Sequence, residues 1–187
     1  TCTTPPYRYA GRLNSGVRRE MSDNAAARLK EKGTQLIALC LSASVLTSFA
    51  SSYANTADFS IPTASLLNKL NEGRNHVNYF ICMIPLAALV TARMYQLLSP
   101  IKPPRTPTPT QNALGSLVFG LAAAFMIWVY FFVPPTYDID GDRFSAIYRL
   151  AALNPVSLGL VFGALTYALA TALAMMIVAL RNLALRA

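Results

Sequence analysis

The sequence predicts an all-α integral membrane protein of four transmembrane helices, with both termini on the same, positively charged side. Three observations carry this reading. Hydrophobic residues fill 54% of the 187 positions and charged residues only 13%, about half the ~25% of a soluble domain. The apolar residues gather into four runs, about 35–54, 77–98, 113–133 and 155–180, each close to the ~20 residues a helix needs to cross the hydrocarbon core. The charges are also sorted. With four spans, twelve of the sixteen Lys and Arg fall beside the termini and the middle loop, and five of the eight acids fall on the other side. The positive-inside tendency then places both termini in the cytoplasm, matrix or stroma.

Residues 1–34 form a polar, basic arm ahead of the transmembrane domain at 35–187. Within the arm, "SDNAAARLKEK" predicts a short helix capped by Ser22 or Asp23, with Gly33 ending it or leading into the first span. The first twenty residues hold four arginines and one acid and open on Thr1, which does not fit a secretory signal. Two readings of that opening stay open: a start inside a longer chain, or the removal of an upstream organellar targeting peptide.

The first span, 35–54, is uncharged and rich in small hydroxyls. Cys40, Ser44, Ser48 and Ser52 recur every four residues on one face, the pattern by which a membrane helix lets a neighbour approach closely. In the following loop, "SIPTASLLNKL" predicts a short helix at the membrane interface, capped by Ser60 and carrying Leu66, Leu67 and Leu70. The second span, 77–98, contains Pro85, which predicts a kink, and Arg93, close enough to its end to snorkel.

Five prolines in 99–112 predict an extended path. In the third span, 113–133, Ser116, Gly120 and Ala124 mark a small face, and Trp128, Tyr130, Phe131 and Phe132 crowd the far end like an interfacial belt. The fourth span, 155–180, carries Gly159 and Gly163 as a GxxxG pair, with Ala164, Ala168 and Ala172 as a neighbouring ridge.

The net charge of +8 flanks these runs. That placement predicts membrane orientation and contact with anionic lipid, cardiolipin included, and excludes a nucleic-acid surface. Arg18, Arg19, Arg93, Lys102 and Arg105 are the residues expected to face lipid or partners. Cys2, Cys40 and Cys82 have no metal-ligand spacing, so neither a zinc site nor a disulfide framework is predicted. Asp138, Asp140 and Asp142 alternate as in a calcium loop, but Arg143 and Arg149 occupy its sixth and twelfth positions, where glycine and glutamate are required. A solvated acidic turn is the expectation there. No metalloprotease, P-loop or nucleophile-elbow motif occurs, a single histidine excludes paired haem ligation, and no span holds an acid for a proton relay.

The stretch "EGRNHVNYFICMIP" places Arg74, His76 and Asn78 at alternate positions before Pro85. Together with "RFSAIYRLAALNP" it resembles the second-helix motif and late arginine of the membrane-associated proteins in eicosanoid and glutathione metabolism, a four-helix integral membrane family. Arg74, Asn78 and Pro85 fall in the family's register, Ile81 stands where its glutamate belongs, and 113–133 lacks its third-helix arginine. The resemblance implies a trimeric glutathione-dependent transferase or isomerase, or a relative without its chemistry, with ligand held by Arg74, His76, Asn78 and Arg143. Read from the residues alone, Arg74, His76 and Asn78 form a polar collar where the second span leaves the headgroups, bonding phosphate or a neighbouring loop.

The expectation for function is a non-catalytic accessory subunit of a large energy-transducing membrane complex, with no catalytic residues and no cofactor of its own. Its partners would be other subunits and anionic lipid. The mitochondrial inner membrane, with its respiratory complexes or ATP synthase, is the first location, and a thylakoid photosystem the second.

Overall fold

About 40 Å of helix precede the point where the chain turns apolar. The computed structural model describes residues 8–53, 61–70, 76–99, 107–132 and 145–185, with the backbone alone at 8–26, 28, 52, 53 and 145. Six helices follow in order: α1 (Arg8–Tyr53), α2 (Pro62–Leu70), α3 (Val77–Leu98), α4 (Pro109–Phe131), α5 (Ser145–Ala152) and α6 (Pro155–Ala184). Four of them contain stretches long and apolar enough to cross a membrane: Leu29–Ser51, Val77–Leu98, Pro109–Phe131 and Pro155–Ala184. The protein is an all-α membrane protein, and these helices are its spans.

The helix ends explain where prediction and structure part. α3 begins and ends where its apolar run does. α4 starts four residues early, inside the proline-rich loop, because Thr108 and Gln111 form a reciprocal capping box ahead of Pro109. Asn154 and Ser157 do the same ahead of Pro155 for α6, which continues past 180 to Ala184. In α1, of the two readings of Gly33, the structure shows the one that leads into the first span, so the 34/35 boundary falls inside one 46-residue helix. A helical glycine costs only ~1 kcal/mol against alanine. Here the chain is tied across it: Thr34 Oγ1 donates to the Lys30 carbonyl at 2.8 Å, and Tyr167 Oη donates to the Gly33 carbonyl at 3.5 Å.

α2 buries Thr63, Ala64, Leu66 and Leu67 against the bundle, because its leucine face finds apolar ends of spans to pack on. α5, in a stretch to which the sequence assigns no element, is an amphipathic helix that buries Tyr148, Ala151 and Ala152, and Tyr148 Oη donates to the Val129 carbonyl at 3.0 Å. Both short helices close the end of the bundle away from the termini.

α6 is the hub: α1, α3, α4 and α5 all pack against it, while α4 meets neither α1 nor α3 along its backbone. The core is correspondingly lopsided. Its main cluster gathers Tyr79, Phe80, Tyr130, Tyr148 and Phe162 with Leu66, Leu67 and Met83 at the α2/α5 end. The Phe80 ring meets those of Phe162 and Tyr130 edge-on, at 4.9 and 5.3 Å between centroids, the geometry aromatic quadrupoles favour.

Candidate functional site

The collar at the start of α3 is built by backbone geometry first. His76 is the N-cap residue, but it lies in the right-handed helical region and its side chain caps nothing. Instead it turns to α2. The Asn68 side-chain oxygen accepts from the His76 main-chain N–H at 3.1 Å and lies 2.7 Å from the imidazole Nδ1. One amide oxygen thus receives two donors, with the Nδ1–H tautomer fixed by the contact. The imidazole is buried, so this clamp joins α2 to α3 inside the closed end of the bundle. Asn78 is half-buried in the first turn of α3, and Ile81, at the position of the family's glutamate, faces outward. Arg74 and Arg143 lie outside the described residues, as do Asp138, Asp140 and Asp142. The structure therefore brings together His76 and a loop-helix asparagine.

A second polar feature runs down the α1/α6 contact. Cys40, Ser44 and Ser48 are fully buried there. Cys40 Sγ reaches the Gly163 carbonyl at 3.5 Å, Ser44 Oγ lies 2.7 Å from Tyr79 Oη, and Ser48 Oγ donates to the Pro155 carbonyl at 2.5 Å. The fourth member of the stripe, Ser52, has only its backbone described. Across the seam, a Cβ on Gly159 would sit 2.5 Å from Val45 Cα, and one on Gly163 would sit 2.9 Å from Ser44 Cβ. The GxxxG pair thus serves contact within this chain. Each seam hydroxyl or thiol meets a phenol or a main-chain carbonyl, so the seam locks helices together.

On the small face of α4 a Cβ on Gly120 would meet Met176 Sδ at 3.4 Å, while Ala124 is exposed and Ala123 is buried beside Leu169 and Ala172. Along α6, Ala164 lies outside, Ala168 is half-buried and Ala172 lies inside.

Among the residues expected to face lipid or partners, Arg93 is exposed and donates to Gln96 Oε1 at 3.1 Å along its own helix. Arg18 and Arg19 lie on α1 with only the backbone described, and Lys102 and Arg105 fall outside the described residues. Sequence reasoning missed Asn68, Tyr79 and Thr166, and set Tyr130 in an aromatic belt, whereas the structure buries it in the core. Tyr130 and Thr166 pair at 3.2 Å inside the aromatic cluster, while Thr166 also donates to the Phe162 carbonyl at 2.7 Å. Asn68 carried one signal, a lone amide on the leucine-bearing helix eight positions before the only histidine. Among the described residues, no three His, Cys, Asp or Glu side chains gather as a metal site would require. Comparison with protein-family models, with curated proteins and with solved structures returns no match.

Proposed function

We propose that the chain is a non-catalytic accessory subunit of a larger organellar membrane complex, with the respiratory complexes or ATP synthase of the mitochondrial inner membrane as its setting. The observation that carries this reading is α1. It runs unbroken from Arg8, yet its uncharged apolar run begins only at about residue 35. The preceding 8–34 is a polar, basic helix about 40 Å long. A helix of this composition is marginal alone in water and is characteristic of segments that bridge to a partner. The buried polar groups support the same reading, because His76, Ser44, Ser48 and Cys40 are committed to joining helices.

Extraction in mild detergent, followed by native mass and mass spectrometry of the co-migrating chains, tests this. The expected result is co-migration with a fixed set of subunits, lost when residues 1–28 are deleted while the spans still fold. A lone particle of roughly trimer size, whose melting temperature rises with glutathione, would overturn it in favour of the enzyme that the Arg74, His76, Asn78 and Arg143 resemblance implies.

A further inference from the structure

At the end of the bundle opposite the aromatic cluster, α1 parts from α3 and α6 and leaves a groove of about 360 Å³. That volume lies within the ~300–1,000 Å³ of sites that hold small molecules. Its walls are Leu29, Gly33 and Ile37 from α1, Met94 and Leu98 from α3, and Tyr167 and Thr171 from α6, with Lys30 and Thr34 completing the rim. We infer that this groove is a binding site for one anionic phospholipid, with an acyl chain along the apolar walls and the headgroup phosphate at Lys30.

The argument begins with what the wall presents. Two of its hydroxyls are turned back on their own helices: Thr34 Oγ1 donates to the Lys30 carbonyl and Thr171 Oγ1 to the Tyr167 carbonyl, each at 2.8 Å. Both threonines therefore offer methyl groups to the space between the helices. Tyr167 Oη is directed at the Gly33 carbonyl. The one formal charge in the wall is Lys30, an exposed residue whose stem can lie along the groove while its ammonium reaches the rim.

Depth selects the occupant. The uncharged apolar run of α1 begins at about residue 35, so Lys30 lies outside it, at the headgroup level, while Ile37 and Met94 lie within the apolar runs of α1 and α3. The groove is open on one side, where the bilayer itself supplies chains. Charge selects the headgroup. This is the side with the excess of Lys and Arg, and Arg181 Nη1, donating to Tyr95 Oη at 3.2 Å, adds a further cation on the neighbouring flank. Basic pockets between spans on this side of a membrane suit anionic headgroups. The site rests on the transmembrane fold and the charge asymmetry, not on the accessory-subunit reading.

The test places the full chain in bilayer discs of phosphatidylcholine with a minor fraction of phosphatidylglycerol, then counts retained lipids by native mass spectrometry. Wild-type protein is expected to retain one phosphatidylglycerol in preference to phosphatidylcholine. Lys30→Gln should lower that retention about fivefold, the worth of one basic residue at an anionic surface. Gly33→Leu fills the groove and should abolish it; a Cβ there meets only Tyr167 Oη, at 3.8 Å. Lys69→Gln, on the exposed face of α2 at the other end, should behave as wild type. Equal retention of the two lipids, or no change in Lys30→Gln, would overturn the assignment. So would a second copy of the chain or another polypeptide in the lipid's place. Lys30→Gln alters an exposed side chain and remains decisive if Gly33→Leu fails to fold.

Discussion

Asn68 and His76 form a polar contact that joins α2 to the start of α3. Asn68→Ala leaves the buried His76 N–H and imidazole Nδ1–H without their acceptor. Orphaned buried donors cost about 1–3 kcal/mol, so this variant should lower the unfolding midpoint in detergent, while Asn68→Asp, which keeps an acceptor, should lower it less. An unchanged midpoint in Asn68→Ala would mean that the clamp does not hold α2. The Ser44–Tyr79 pair, at 2.7 Å, allows a cleaner measurement. A double-mutant cycle of Ser44→Ala and Tyr79→Phe should return a coupling of ~0.6–1.7 kcal/mol, the range for hydrogen bonds between membrane helices. A coupling of zero would remove this bond from the account of how α1 meets α3.

Among the elements, the α1/α6 seam is the contact least able to accept added atoms. Gly159→Leu drives a side chain into the Val45 main chain, so the two helices must part. Cys40, fully buried in the same seam, is then expected to become reactive to a membrane-permeant maleimide, whereas exposed Cys82 should react in wild type and variant alike. Protection of Cys40 in the variant would show that the helices accommodate the leucine without separating. The α4/α6 contact makes the register argument measurable. Ala123→Leu overpacks a position 3% exposed and should cost about 1–3 kcal/mol, while Ala124→Leu, on the outer face, should change stability by less than ~0.5 kcal/mol. Reversed effects would put α4 in the other register.

For the whole molecule, four spans and the sorted charges place both termini and the 99–108 loop on one side, with α2 and α5 on the other. Tags at the two ends should therefore be protected from, or exposed to, an added protease together, in sealed vesicles of either orientation. A split result would mean an odd number of crossings. The bundle is tight where α2 and α5 close over the aromatic cluster and open where α1 leaves it.

Fold class, span number and two of the four spans' starting points, Val77 and Pro155, were legible in the sequence, because burial in hydrocarbon is enforced residue by residue and leaves long apolar runs. The serine stripe and the GxxxG pair were legible too, since only small residues allow helix axes to approach so closely. The collar reading of His76 was legible as a class of contact but not as a bond to Asn68, because the partner lies on a separate short helix whose docking is a long-range event. Within this chain Ala124 faces outward and Ala123 inward, a difference of ~100° around the helix that the four-residue repeat alone does not set. The continuity of α1 through Gly33, the inward turn of α2 and the existence of α5 were decided by tertiary structure alone. Each depends on a surface that exists only once other helices are packed: the Tyr167 hydroxyl for α1, and the gathered ends of α3, α4 and α6 for the two short helices. Local sequence specifies what must leave water; the packed neighbours specify which face each helix turns to do it.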